Sequence, residues 1–410
     1  MKNFNVLILD LKKNFIFYLI CLYPWFLVSG PFMSDIILVI ISLYYLSIKK
    51  NLSDLKKYYS IIFWILCIYL TINSLLIAKN LMSLKSAIFY FRFGIFILAI
   101  SYFLKLYEKR INYIFYSFSY LLILLVIDSI FQKIFGFNLI GIQMENTIRV
   151  SSFFGDELVL GSFTIKLLPI VLGLLFLTNM RKKKMISIIL LIASIFPILF
   201  SAEKASLIHF IIFIMIFIVS IDINLKIKIS IATFIILIIS LFLITNESLN
   251  KRLIKDLVYN SNKGQYIFSK VHDSNFRTAF NMFKDKPLFG HGPKMFRIKC
   301  SDKKYQHNIY SCSTHPHNFY LQLLSETGLV GFTFFIIFYF FLIFKFLFYL
   351  FKGVNNKSEK YSSYFFISSL LLIFLPISTS GNIFNNWLSC QYAFTLGFFL
   401  YSTKYCENSR

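Results

Sequence analysis

GLVGFTFFIIFYFFLIFKFLFYLF, residues 328–351, is an apolar run in which Lys345 is the one charged side chain. An α-helix rises about 1.5 Å per residue, so about 20 such residues cross the hydrocarbon core of a bilayer. The run therefore predicts a membrane-spanning helix. The whole chain has this character, since 58% of its 410 residues are hydrophobic and 15% are charged. That composition excludes a soluble enzyme, a nucleic-acid-binding protein and a disordered chain.

Similar apolar runs recur along the sequence and predict an all-α polytopic membrane protein with about 12 transmembrane helices. A few ionisable residues inside the runs are expected to stand alone and are weaker functional candidates, among them Arg92, Asp128, Lys166 and His209. The predicted spans are 15–32, 34–48, 58–78, 86–104, 112–131, 158–178, 185–200, 205–221, 227–245, 328–351, 361–380 and 386–403.

The formal charge of +24 follows from Lys and Arg residues concentrated in alternate connections between the spans, such as 49–57 and 181–184. Because short cytoplasmic loops carry an excess of Lys and Arg, this placement predicts that both termini lie in the cytoplasm. It divides the chain into spans one to nine (1–245), a long outside loop (246–327), and spans ten to twelve with a cytoplasmic tail (328–410).

The outside loop is basic, which suits either an anionic substrate or a solvated surface near lipid headgroups. It also contains Cys300 and Cys312. In an oxidising compartment these two residues are candidates for a disulfide. No group of Cys and His has the spacing of a zinc site.

The loop ends in STHPHNFYLQLLSETGLVGFTFF, residues 313–335. Pro316 favours an extended or turn backbone between His315 and His317, and Asn318 can cap the helix that follows. This pattern predicts an imidazole where water meets the membrane, where it can act as a general base near pH 7. Two solvated histidines or a metal-binding pair remain alternatives.

Arginines and one Glu–Lys pair supply further candidates. Arg277 and Arg297 bracket FRTAFNMFKDKPLFGHGPKMFR (276–297), a short amphipathic helix followed by a turn, and suit a pyrophosphate as well as lipid headgroups. Arg149 precedes the sixth span. Glu203 and Lys204 lie in the short hairpin between spans seven and eight, where an ionisable pair at membrane depth indicates function.

PLFGHGPKMF followed by HPHNFYLQLLSETGLVGF resembles the signature of the O-antigen ligase and O-antigen polymerase superfamily. RVSSFFGDELVLGSF and FSAEKASL are similar to the arginine/glycine-rich loop and the hairpin of that family. The resemblance implies a bacterial inner-membrane protein with one long periplasmic loop containing short helices. It also implies a metal-independent glycosyltransferase, without a cofactor, whose leaving group is a lipid pyrophosphate and whose site faces the periplasm.

By position, the resemblance makes His317 the base, with His315 as its alternative, and matches Arg277 to an essential arginine of the family. Lys204 stands where the family has a hairpin arginine. Arg149, Lys204, Asn318 and Arg297 are expected to bind substrate, and Glu203 is the carboxylate that would act in a double displacement.

The expected reaction transfers a glycan from undecaprenyl pyrophosphate to a sugar hydroxyl with inversion, in lipopolysaccharide assembly. The AEK hairpin slightly favours a polymerase, whose acceptor is lipid-linked, over a ligase, whose acceptor is the lipid A core. A transporter of lipid-linked sugars is the non-enzymatic alternative. Membrane lipids, a chain-length regulator and other assembly enzymes are candidate partners, and nucleic acid is not.

Overall fold

A computed structural model describes residues 2–144, 148–255, 269–351, 356–376 and 378–408. The described part is built from α-helices and short 3-10 and π turns, and its one β feature is a bridge between Phe137 and Gln143. The helices are α1 (Lys2–Val28), α2 (Pro31–Ser47), α3 (Tyr58–Asn73), α4 (Leu81–Ile88), α5 (Phe91–Leu106), α6 (Ile111–Phe135), α7 (Leu160–Leu177), α8 (Lys183–Ala193), α9 (Ile195–Phe200), α10 (Lys204–Ser220), α11 (Leu225–Thr245), α12 (Glu247–Asn250), α13 (Lys270–Asp285), α14 (Phe296–Lys299), α15 (Phe319–Phe351), α16 (Lys357–Ile373) and α17 (Asn386–Asn408).

Seven helical stretches in the described part are long and apolar enough to cross a membrane, and the bent pair Pro31–Ser47 with Lys49–Lys56 makes up to eight. Asn14–Val28 and Lys204–Ser220 are shorter apolar helices. The protein therefore agrees with a polytopic membrane fold, while the count of 12 spans stays a prediction. Every predicted span has a helical counterpart, but α16 and α17 are not among the seven stretches that are long and apolar enough to cross a membrane.

Helix α7 is the centre of the bundle, with 83% of its span buried. It packs against α16, and α17 packs against α5. Small residues permit these close approaches, because a Cβ on Gly173 would lie 2.5 Å from the Phe366 ring and one on Gly397 would lie 2.6 Å from Ile100.

Two charges that the sequence left isolated have partners in the fold. Arg92 Nη1 lies 3.0 Å from Asp35 Oδ2. The buried Asp128 accepts hydrogen bonds from Ser152 Oγ at 2.5 Å and from Leu139 N at 2.8 Å. The prediction that Arg92 and Asp128 stand alone is therefore wrong. The sequence did not reveal their partners, because each partner comes from a different part of the chain.

The predicted outside loop contains α12, α13, α14 and the first turns of α15, and residues 256–268 lie outside the described part. Helix α15 begins at Phe319, nine residues before the predicted span, and breaks at Gly328, where φ is 63° and ψ is −169°. The segment 319–327 is thus separated from the apolar helix by a kink. Helix α15 packs with α13, and Leu321 of this segment packs against the cluster that contains Ala279 and Met282 of α13.

Candidate active site

The His315–His317 segment is held at the start of α15 by a buried amide. Asn318 Oδ1 accepts hydrogen bonds from Tyr320 N and Leu321 N, both at 3.0 Å, and so caps the helix. Its Nδ2 donates to Pro376 O at 2.7 Å and to Ser378 O at 3.1 Å. With both ends of the amide engaged, Asn318 fixes the direction of the backbone that carries His317.

His317 itself adopts the left-handed conformation, with φ at 57°. Its carbonyl oxygen accepts a hydrogen bond from Ser380 N at 2.8 Å. Such a backbone is uncommon outside glycine, and at functional sites it aims a side chain in a direction that regular structure does not allow. The connection between α16 and α17 therefore helps to set the position of this imidazole.

Three imidazoles form a cluster at this point. The ring of His317 lies 4.3 Å from that of His315 and 5.0 Å from that of His272, measured between centroids. His272 belongs to the first turn of α13, and its Nδ1 lies 2.8 Å from Ser269 Oγ. Sequence analysis missed His272, although the Ser269 cap and the amphipathic pattern could have placed it at the start of a surface helix.

The cluster favours neutral imidazoles. Burial lowers the pKa of His317, and burial together with the neighbouring His317 lowers the pKa of His315 to about 4. Burial, His317 and Lys204 lower the pKa of His272 to about 4. All three are partly exposed, so a substrate can reach them, and near pH 7 each can accept a proton.

These imidazoles do not converge as metal ligands. Within the part of the chain that the structure describes, no group of three His, Cys, Asp or Glu side chains has the arrangement of a metal site.

The second group of candidates surrounds the hairpin of residues 201–203. Glu203 Oε1 accepts hydrogen bonds from Gly161 N at 2.9 Å and Ser162 N at 3.3 Å, at the start of α7. Arg149 donates from Nε to Ser201 O and from Nη2 to Leu158 O, both at 2.9 Å. The hairpin and the start of α7 are thus braced against each other.

Burial and the neighbouring charges act in opposite directions on the pKa of Glu203. Burial raises the pKa of Glu203, and the Arg149 charge and the two backbone N–H groups act in the opposite direction. Arg252, which the sequence analysis did not identify, donates from Nε to Ala202 O at 3.0 Å. It lies far along the chain from the hairpin, so only the folded chain brings its charge there.

Lys204 connects the two groups. Its charge is one of the causes that depress the pKa of His272, so the hairpin lies within electrostatic reach of the histidine cluster. The structure thus places His315 and His317 side by side, and the charge of Lys204 acts on the neighbouring His272.

The two predicted arginines of the loop differ in placement. Arg297 lies on α14, is exposed, and contributes to the low pKa of His315. Arg277 pairs with Asp273 across one turn of α13 at 2.7 Å and is 55% exposed. At 100° per residue, Arg277 lies about 140° around α13 from His272, and hence on a different face of the helix.

A buried carboxylate fixes the segment that carries Arg297. Glu326 accepts hydrogen bonds from Lys294 N, Phe296 N and Gln322 Nε2, each at 2.9 Å. Gly290 has φ at 65°, and a Cβ there would lie 2.5 Å from the Glu326 carbonyl carbon. The turn 286–296 therefore docks on the last turn of the helix that begins beside His317, and sequence analysis had not assigned this function to Glu326.

Cys300 and Cys312 form a disulfide, with their Cα atoms 5.0 Å apart. Cys300 follows α14 directly, and Cys312 precedes His315 by three residues. The bond thus joins the Arg297 segment to the histidine segment.

A model of the O-antigen ligase family matches residues 187–336. The matched range includes the hairpin, α13, the disulfide and the histidine segment, whereas Arg149 lies before it. No curated protein matches the chain. The family match confirms the resemblance to the O-antigen ligase and polymerase superfamily, and it supports glycosyl transfer of that type.

Proposed function

We propose, from the O-antigen ligase domain at residues 187–336, that this chain transfers a glycan from a lipid-linked diphosphate to a sugar hydroxyl. The observation that carries the proposal is the cluster of His272, His315 and His317 next to the Lys204 hairpin. Neutral imidazoles beside permanent cations meet both needs of the reaction: a proton acceptor, and charges that hold the leaving group.

His317 acts as the general base. It takes the proton from the acceptor hydroxyl as that oxygen forms a bond to the anomeric carbon. The bond from this carbon to the diphosphate oxygen breaks, and its electron pair leaves with the diphosphate. His315 is the alternative base, and His272 is a positioning residue that packs edge-on against the His317 ring.

Lys204, which follows the hairpin directly, and Arg252, which donates to Ala202 O, hold the diphosphate on that side, and Arg297 faces it from the loop. Arg149 contributes its charge while its donors brace Ser201 and Leu158. Arg277 is proposed to contact the donor from the exposed face of α13, and its guanidinium also pairs with Asp273.

A single displacement inverts the anomeric carbon. The alternative is a covalent intermediate on Glu203, which would give retention. The two backbone N–H groups that bind Glu203 Oε1 favour a bracing function over a nucleophilic one. Glu203 therefore acts by orienting the hairpin.

We infer that the donor carrier is undecaprenyl pyrophosphate and that the site faces the periplasm of a bacterial inner membrane, with both termini cytoplasmic. The Lys-rich connections and the apolar helices support this orientation. Polymerisation, with a second lipid-linked glycan as acceptor, rests on the AEK hairpin. Ligation to the lipid A core is the second candidate, favoured by the description of the matched family.

Deletion of the coding sequence tests these functions in cells. Loss of polymerisation leaves lipid A core carrying a single repeat unit, and loss of ligation leaves full-length glycan on the lipid carrier. An unchanged surface glycan profile would contradict both. Substrate retained on the cytoplasmic leaflet would instead support the transporter.

A further inference from the structure

The bundle has a second charged feature at the end opposite the histidine cluster. A cavity of about 390 Å³ lies where α7 ends and where α8 and α16 begin, bordered by Phe176, Tyr361 and four lysines, Lys182, Lys183, Lys184 and Lys357. The start of α7 contacts Glu203 through Gly161, whereas Phe176 lies in its last turn. At about 1.5 Å per residue the cavity is therefore roughly 25 Å from the hairpin.

The lysines reach this cavity from two separate segments of the chain. Lys183 Nζ donates to Phe176 O at 2.8 Å, which turns the connection after α7 back onto the helix end. Lys357 Nζ lies 3.3 Å from Asp222 Oδ2, and Lys184 Nζ donates to Asp222 O. The Asp222 carboxylate pairs with Lys357, and no acidic side chain is among the described residues that line the cavity, so the cavity keeps an excess of positive charge.

The general excess of Lys and Arg in cytoplasmic loops explains why lysines occur at this end, but it does not explain why four of them line one cavity. Lys182 has φ at 58°, a backbone conformation that β-carbon-bearing residues rarely adopt, and it brings three consecutive lysines to the turn. Lys357 then approaches from the first turn of α16.

Apolar surface adjoins the lysines. Tyr361 Oη accepts a hydrogen bond from Asp222 N at 3.2 Å, so the start of α11 lies next to the cavity. Leu225 and Ile229 in the first turns of α11 are 68% and 57% exposed. An occupant can therefore place an anionic group among the ammonium ions and hydrocarbon along α11, which suits an amphiphile better than a soluble anion.

We propose that this cavity binds the phosphodiester headgroup of an anionic phospholipid, with its acyl chains along α11. The site is separate from the glycan-transfer site and does not depend on the function proposed for it. It anchors the far end of α7 to the lipid surface.

The test uses the full-length protein in detergent, with phosphatidylglycerol, phosphatidylcholine and inorganic phosphate as probes. The shift in thermal unfolding midpoint on titration is measured for the wild type, for Lys182→Gln/Lys357→Gln, and for Lys49→Gln/Lys50→Gln. The last variant is the matched control, because it removes two exposed lysines after α2, which the charge distribution predicts to lie on the same side of the membrane. Each shift is taken from the lipid-free midpoint of the same variant, which corrects for any loss of stability.

Phosphatidylglycerol is expected to raise the midpoint of the wild type and of the control at similar concentrations. The cavity variant should need about thirtyfold more of it, since each ammonium near an anionic lipid contributes a factor of about five. Equal titrations in the two double variants would overturn the proposal. An equal effect of phosphatidylcholine would overturn the anionic requirement, and an equal effect of inorganic phosphate would replace the lipid by a soluble anion.

Discussion

The histidine cluster and the hairpin of residues 201–203 are built differently. The cluster contains partly buried imidazoles that stay neutral near pH 7, positioned by an amide cap and a left-handed backbone at His317. The hairpin holds permanent cations and one carboxylate, braced by hydrogen bonds to backbone atoms. In the proposed mechanism this difference divides the tasks: the cluster moves a proton and the cations at the hairpin hold negative charge.

His317→Ala should have the largest effect, since loss of a general base costs roughly 10²- to 10⁴-fold in rate. The measurement is the initial rate of glycan transfer by the reconstituted protein with a purified lipid-linked donor. His307→Ala is the matched control, because His307 is an exposed histidine of the same loop. Equal rates in the two variants would remove the base from this cluster.

Helix α13 allows an internal comparison, because His272 and Arg277 lie on different faces of it. His272→Ala should slow transfer by about tenfold or more, since it removes the ring against which His317 packs. Arg277→Gln should cost less than about fivefold, because an exposed ion pair contributes at most about 1 kcal/mol. The reverse order would assign the diphosphate clamp to Arg277.

The parts of this site that were predicted are local in sequence. Asn318 caps the helix after the histidines, as the sequence indicated, because the cap and the helix are contiguous. His272, Arg252 and Glu326 were not identified, because their partners lie many residues away and depend on how helices pack. For the same reason, the partners of Arg92 and Asp128 could not be read from apolar runs.

The fold shows the same limit. Apolar run length located a helix for every predicted span, but it did not locate the break at Gly328. That break depends on a close approach, since Gly328 packs against the backbone of Leu288 and Phe289. The position at which the outside loop gives way to the apolar helix therefore depends on a tertiary contact, which apolar run length does not reveal.

Glu203→Gln tests the hairpin with a smaller expected effect. The amide keeps an oxygen for Gly161 N and Ser162 N but loses the charge that faces Arg149. Transfer should fall by about tenfold or less, and the product should keep its inverted configuration. Complete loss of activity, or a wild-type product with retained configuration, would instead make Glu203 the nucleophile.

Acid should weaken folding through the cluster, with the smallest effect of the series. The pKa of His272 is about 4, against 6.5 for an ordinary histidine, so the unfolded chain binds more protons between these values. Stability is then complete above about pH 6.5 and decreases as the pH falls towards 4. The midpoint of thermal unfolding should drop less between pH 7.5 and 5 in His272→Asn than in the wild type. An equal drop would place the acid sensitivity elsewhere.

The most direct test of the division of tasks is the affinity of the protein for undecaprenyl pyrophosphate, measured without a glycan acceptor. His317→Ala should bind it within about twofold of the wild type, whereas Lys204→Gln/Arg252→Gln should bind it about tenfold or more weakly. Weakened binding in His317→Ala together with unchanged binding in the hairpin variant would contradict the account.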